Sequence, residues 1–250
     1  MRKLLFLILV LLFSPMMGQD ADALFEAGKE HYKADEFEQA IAKWEAILKK
    51  GQHSKAVYFN LGNAYYKINQ VAPSVYNYEK ALQLDPNDRE VKNNLAFAQN
   101  MRIDVIEPLP KTVFAKAYDN TMGSLTTTSW AWISVILLIL GVGSFLGYYF
   151  SAGSGRKRLL FVASIVLFGL VLFSFASAYF TNIDANTERM AVVFEEKMQV
   201  RDEPKASGTV SFELHAGTKL DIIDQDGDWI RIELANGKDG WVPATTVKEL

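Results

Sequence analysis

The chain contains no cysteine. That absence removes disulfides, thiolate nucleophiles and cysteine-ligated metals together, and it suits an oxidising compartment. Histidine is also scarce. His31, His53 and His215 are scattered over segments of different character. There is no HExxH pair, no phosphate-cradling glycine loop, no GxSxG elbow and no glycine-rich dinucleotide turn. The expectation is therefore a protein that is not an enzyme and has no cofactor, no metal site and no catalytic residue. An excess of positive charge is lacking too. Lys and Arg number 26 against 29 Asp and Glu, a net charge of −3, so nothing favours nucleic acid as a partner.

Charge is absent altogether from two long stretches. Trp130–Phe150 and Leu159–Phe180 contain no Asp, Glu, Lys, Arg or His. A helix rises about 1.5 Å per residue and a bilayer core needs about 20 residues, so each run can span a membrane once. The gap between them, residues 151–158, carries Arg156, Lys157 and Arg158 and no acid. Positive charge in a short loop marks the cytoplasmic side, so both flanks of this hairpin are expected on the outer side. Trp130, Trp132, Tyr148, Tyr149 and Tyr179 stand where interfacial belts form. Gly143 and Gly147, with Gly141 nearby, offer close helix contact, or are the ordinary glycines of a membrane helix. With no ionisable group in either run, an ion pathway is unsupported, and the pair reads as an anchor.

Residues 1–18 have the layout of a secretory signal peptide. Arg2 and Lys3 precede ten apolar residues, Leu4–Phe13, and Ser14, Pro15 and Gly18 break the run. An uncleaved anchor is the alternative, and both send the following chain across the membrane.

Sliding the sequence on itself by 34 places gives matches through residues 19–102. Phe25 falls on Phe59, Gly28 on Gly62, Tyr32-Lys33 on Tyr66-Lys67, Trp44-Glu45 on Tyr78-Glu79 and Leu48 on Leu82. This period, with Leu61-Gly62, Tyr65, Ala81 and Pro86 in the second copy and Gly28, Ala40 and Trp44 in the first, resembles the tetratricopeptide repeat, a helix-turn-helix unit. Gly28 and Gly62 would let two helices approach, and Trp44 or Tyr78 would fill the space between them. Asp35 and Asn69 sit where the intra-repeat turn tolerates a left-handed residue. The expectation is an all-α array of repeats at about 21–54 and 55–88, with a capping helix over 89–102. About three repeats are normally needed for stability, so this array is minimal, and a partner, a second copy or the membrane are supports open to it. The resemblance implies peptide binding in the concave face. By position that gives Phe25, Lys29, Tyr32 and Lys33 from the first copy, Phe59, Asn60, Asn63, Tyr66 and Lys67 from the second, and Asn93, Asn94 and Phe97 from the third helix. Either the Asn amides grip a peptide backbone and Lys29, Lys33 and Lys67 hold a carboxylate, or these residues follow the repeat pattern and Phe25 and Phe59 serve packing.

Residues 103–129 read as a linker. Pro108 and Pro110 forbid helix near its start. Val113–Thr128 either lies as an amphipathic segment on the membrane surface or is a plain flexible tether.

From residue 190 to residue 250 the period changes to two. Six short β-rich pieces are expected at Ala191–Phe194, Met198–Arg201, Val210–Glu213, Lys219–Ile223, Trp229–Glu233 and Gly240–Val242. Turn signals separate them at Ala206-Ser207-Gly208, Ala216-Gly217, Asp226-Gly227 and Asn236-Gly237. Val200-Arg201, Gly217, Trp229, Gly237 and Gly240-Trp241-Val242 together resemble a bacterial SH3 domain, an all-β SH3-like small barrel. Asp224, Asp226 and Asp228 are spaced like half a calcium loop, yet Trp229 replaces its glycine and Asn236 its closing Glu, so a hairpin turn is the better reading. Trp241 is expected in the core. Trp229 is either core or ligand-facing.

In domain order the chain is a multidomain membrane protein: signal peptide (1–18), tetratricopeptide domain (19–102), linker (103–129), transmembrane helices (130–150 and 159–180) around a cytoplasmic turn (151–158), and SH3-like domain (190–250). That order resembles the BatE type of protein from bacterial aerotolerance operons. The resemblance implies a bacterial inner-membrane scaffold with both soluble domains periplasmic, acting beside von Willebrand-type domain proteins of the same operon in a stress-related assembly. The alternative is a cell-wall module whose SH3-like domain binds peptidoglycan while the repeats are structural.

Overall fold

The computed structural model describes residues 16–187 and 189–250. The signal-peptide expectation lies almost entirely outside these residues. The chain divides into two compact units. One takes the N-terminal helices up to Pro108 together with Met190–Leu250, and the other is Leu109–Arg189.

The first unit begins with five helices, α1 (Met16–Lys33), α2 (Phe37–Lys49), α3 (Lys55–Lys67), α4 (Val71–Leu84) and α5 (Arg89–Gln99). Local chemistry sets their ends. Ser54 accepts from the Val57 amide at 3.3 Å and Asp88 from those of Glu90 and Val91, so orphan donors at two N-termini are satisfied. Asp35 and Asn69 both have φ of 59°, the left-handed turns expected between paired helices. Pro86 follows the end of α4, where it costs no helical hydrogen bond. The 34-residue period shows most plainly inside the pairs. A Cβ at Gly28 would lie 2.3 Å from the Trp44 indole, and one at Gly62 would lie 2.6 Å from the Tyr78 ring. Each glycine is therefore the seat of the aromatic one helix later. Trp44 and Tyr78 are both about 1% exposed.

The C-terminal part of this unit is a seven-stranded sheet: β1 (Arg189–Val193), β2 (Lys197–Arg201), β3 (Val210–His215), β4 (Lys219–Asp226), β5 (Trp229–Glu233), β6 (Asp239–Pro243) and β7 (Val247–Glu249). The six expected strands are present, and β7 is an addition. The order is β3-β2-β6-β5-β4-β1-β7, with antiparallel pairing of β2 to β3 and β6, of β5 to β4 and β6, and of β1 to β7. Gly217, Gly227 and Gly237 take positive φ at the turns expected there. The ladder has two free edges, β3 and β7, so the sheet is open where a closed small barrel was expected. One face is apolar, with Val193, Val200, Ile230, Ile232 and Val242 fully or nearly buried. Trp241 alternates with Gly240 and Val242 and so lies on the other face, half-buried. This corrects its assignment to the core.

The helices and the sheet share a core. Val192 of β1 is fully buried in the cluster built on Tyr76, Tyr78, Val91 and Leu95, and Phe194, Ala216 and Leu250 pack against it. The Phe194 ring meets Tyr76 edge-on at 5.8 Å, and the Lys248 ammonium lies 4.3 Å from the Tyr76 ring centroid. Lys219 pairs with Glu79 at 2.8 Å. Residues after α5 do not act as a free tether here. Ile106 packs on the sheet's core, and the Asp104 carboxylate accepts from the His215 amide, the His215 ring and Thr218 Oγ1 at 2.6, 2.8 and 2.7 Å.

The second unit holds α6 (Val113–Asn120), a short 3-10 turn (Met122–Ser124), α7 (Thr127–Phe150) and α8 (Ser154–Thr187). The last two are long and apolar enough to cross a membrane. At about 1.5 Å per residue they run about 36 and 51 Å, against a hydrocarbon core of about 30 Å. They pair along their length through Ser134 and Ser174 (2.8 Å) and Thr127 and Thr181 (3.2 Å). Gly141 and Gly147 face α8, next to Leu167 and Leu160, while Gly143 faces open space. The turn is only Ser151–Gly153. Arg156, Lys157 and Arg158 therefore lie within the start of α8 rather than in a loop.

Candidate functional site

The first helix of each repeat and the capping helix line one side of the array. There, Tyr32 of α1, Asn63, Tyr66 and Lys67 of α3, Tyr78 of α4, and Asn94 and Phe97 of α5 surround a cavity of about 190 Å³. Six of the twelve residues expected in the groove, Tyr32, Asn63, Tyr66, Lys67, Asn94 and Phe97, are thus brought together. Tyr78 is the addition. Its register with Trp44 identified it as a packing residue, but its hydroxyl projects from that packing toward the groove.

The polar groups of the well are arranged around Asn63. Its side-chain oxygen accepts from Tyr78 OH at 2.7 Å and from Asn94 Nδ2 at 2.9 Å. An amide whose oxygen is doubly engaged presents its NH₂ as the group still able to donate, and Asn94, having donated, presents its oxygen. Burial pushes the Tyr78 phenol above its ordinary pKa, so it stays a neutral donor throughout the working pH range. Lys67 is exposed at the rim, and among the described residues no carboxylate is paired with it. Phe97, 60% exposed, and Tyr66 supply apolar and aromatic surface. Such a site offers an ammonium, an amide donor, an amide acceptor and an aromatic wall within one small well. That set matches a peptide carboxylate or a peptide bond with an adjoining apolar side chain.

The other six sit elsewhere. Lys29 is paired with Glu26 at 2.9 Å and Lys33 with Glu30 at 2.8 Å, each within α1. Of the three lysines expected to hold a carboxylate, only Lys67 faces the well. Phe25 lines a second, larger cavity of about 520 Å³ between α1 and the α2–α3 connection, with Ala21, Ile47, His53 and Val57. Phe59 is half-buried, its ring centroid 6.1 Å from that of Tyr78, and so serves packing. Asn60 is half-buried and Asn93 exposed, and neither lines the well. Sequence position alone could not separate these residues, because all lie on the same helices and differ only in the direction they face.

On the sheet, Trp229 is half-buried at the first residue of β5, opposite Pro243. The outward row beside it reads Arg201, Trp241, Arg231 and Asp224 across four strands. Arg201 donates to Gly208 O and Gln199 Oε1, and Arg231 to Asp239, so both guanidinium groups already have partners. Asp224 and Asp226 end β4 and Gly227 turns the chain into β5, the hairpin expected at that spacing.

The architecture is a short array of helical repeats joined to a small β-module. The comparisons agree region by region. Residues 56–88 match the tetratricopeptide repeat, and residues 196–248 match the bacterial SH3 domain. Over 75 residues the chain is 35% identical to YrvJ of Bacillus subtilis (strain 168), provisionally named an N-acetylmuramoyl-L-alanine amidase. That stretch is 29% of this chain and 14% of the amidase's length, and it falls on the SH3 region, which is not catalytic.

Proposed function

We propose that the chain is a membrane-anchored, non-catalytic scaffold that holds a protein partner by an extended peptide segment in the repeat groove. The observation that carries this reading is the well at Asn63, Lys67, Asn94 and Phe97, where the donors and acceptors left over from packing converge beside an unpaired cation. The two apolar helices, α7 and α8, anchor it. Arg156, Lys157 and Arg158 at their connected end are inside, so the repeats and the β-module face outward, in the periplasm of a bacterial inner membrane. The domain order supports a place beside the von Willebrand-type proteins of an aerotolerance operon.

The test is site-specific photocrosslinking from the groove in intact cells. Lys67→Glu combined with Phe97→Ala should reduce crosslinked partners at least tenfold while leaving the protein folded and membrane-bound. Lys29→Glu, outside the well, should change them little. Reporter fusions at residues 105 and 154 and after residue 250 test the orientation: an exported signal at 154 would overturn it.

A second reading is favoured by one observation, the similarity of the SH3 region to that of a protein named as a cell-wall amidase. In it the β-module binds peptidoglycan. Sedimentation with purified cell wall that survives Lys67→Glu/Phe97→Ala and is lost with Trp229→Ala would favour that reading over the first.

A further inference from the structure

Helix α6 buries none of its eight residues, yet five of them are apolar or aromatic. With residues about 100° apart around a helix, Val113, Ala117, Phe114 and Tyr118 follow one another over about 140°. Lys116, Asp119 and Asn120 fill the opposite arc. The two edges of the apolar arc differ. Tyr118 turns toward the end of α8, where its hydroxyl donates to the Asp184 carboxylate. Val113 and Phe114 are 80% and 86% exposed. The polar arc is tied down by Lys111 and Asp119 at 2.6 Å, and Thr112 caps the helix through the Ala115 amide at 3.2 Å. The elbow that follows is fixed as well, because the Trp130 indole of α7 donates to Met122 O at 2.8 Å. The helix is thus held in place with its apolar edge uncovered.

We infer that the Val113–Phe114–Ala117 edge is a lipid-docking surface, seated at the boundary of headgroups and acyl chains where α7 starts and α8 ends. This inference rests on the anchor reading above. Lipid is the occupant because the edge adjoins, through the Tyr118–Asp184 and Met122–Trp130 contacts, the ends of two helices each long and apolar enough to cross a membrane. Trp130 and Tyr118, each with an apolar body and a polar tip, lie at the same end of the pair, as residues of a membrane interface do. Two large side chains are also far too small a patch for a stable protein interface. Docked in this way, α6 lies along the membrane surface beside the start of α7.

The absence of cysteine makes the test direct, because a single introduced cysteine is the only thiol to label. Full-length protein in nanodiscs of phosphatidylcholine and phosphatidylglycerol would carry an environment-sensitive dye at Phe114→Cys, Lys116→Cys or Ile139→Cys. The expected result is a blue-shifted dye at 114, quenched at least threefold more than the dye at 116 by lipids with a nitroxide near the headgroup. The dye at 139 should be quenched best by deep nitroxides. Val113→Cys, on the same edge, repeats the measurement should the change at 114 perturb the helix. If 113 and 114 are as solvent-accessible as 116 while 139 is quenched, the inference fails and the anchor stands. If 139 is not quenched either, the anchor reading fails. Shielding at 114 without lipid quenching, appearing only with several chains per disc, would replace lipid with a second copy and overturn the proposal.

Discussion

At the scale of single residues, two glycines decide how closely the paired helices can approach. The reason is distance rather than backbone freedom: the Tyr78 ring occupies the space that a Cβ at Gly62 would need. Neither neighbour can yield easily. Tyr78 is anchored through its hydroxyl to Asn63, and Ser74 Oγ donates to Gly62 O at 2.9 Å, which holds the two backbones at this separation. Gly62→Ala is therefore expected to destabilise the first unit by about 1–3 kcal/mol, the usual cost of overpacking. A thermal melt followed by far-UV circular dichroism would check it. The change should also disturb the groove, since displacing Tyr78 removes one of the two donors that orient Asn63. A melting temperature equal to the parent's would mean that the helix pair adjusts at no cost and that the glycine is not the seat of Tyr78.

At the scale of elements, the segment after α5 changes meaning between sequence and structure. Asp104 and Ile106 alternate inward while Ile103 and Val105 point outward, so this strap is fastened by period-two contacts although it pairs with no strand among the described residues. Its main fastening is the Asp104 carboxylate. An ionised carboxylate only accepts hydrogen bonds, so His215 Nδ1 must carry the proton it shares. Burial pushes the Asp104 pKa up, but the hydrogen bonds from His215 and Thr218 outweigh it, and the group titrates below its usual range. A carboxylate depressed by folding contributes stability that is fully present above its unfolded value of about 3.9 and is lost as pH falls through the lower folded value. Asp104→Asn should thus lower stability near neutrality and flatten the acid limb below about pH 4, measured as unfolding against pH. Identical acid limbs would show that the strap does not depend on this charge. Sequence could mark 103–110 as non-helical from Pro108 and Pro110, because that follows from local backbone sterics. It could not find the fastening, because His215 and Thr218 lie more than a hundred positions away and nothing local advertises the pairing. The same division holds for the groove. Helical phase was legible, and six of the twelve residues expected in the groove line one cavity. Which of Lys29, Lys33 and Lys67 faces the well was not: Lys29 and Lys33 pair with Glu26 and Glu30 on α1, and of the three only Lys67 lines the cavity. The open sheet was missed for a related reason: alternation gives the strands and their inner faces, but closure depends on whether two distant edges meet.

At the scale of the whole molecule, two repeats and one extra helix are fewer than such an array normally needs, and the structure shows what makes up the deficit. The β-module from the far end of the chain supplies Val192, Phe194, Ala216 and Leu250 to the second repeat's core, and the Glu79–Lys219 pair closes the edge. Burying one side chain such as Val192 is worth about 1.5–3 kcal/mol, so this contact is large against the marginal stability of a small domain. Two modules that read in sequence as separate recognition units then belong to one compact unit, whose chain is interrupted by residues 109–189, and they are expected to fold together. This can be tested on the intact protein. Specific protease sites placed after Pro108 and before Met190 would cut the chain on both sides of the interruption. The helical fragment and the β-fragment should remain together through gel filtration and melt in a single transition. Tyr76→Ala removes the ring that meets both Phe194 and Lys248. Gly217→Val places a side chain where a Cβ alone would already lie 2.7 Å from Val71. Together they should release the β-fragment after cutting while leaving its own strands intact by circular dichroism. Fragments of the parent protein that separate on cutting and melt independently would show that the repeats stand without the sheet. In that case a partner in the groove could be exchanged without the β-module sensing it. If they hold together, anything that loosens the second repeat also loosens the sheet, and the groove and the outward row at Trp241 are two faces of one cooperative body.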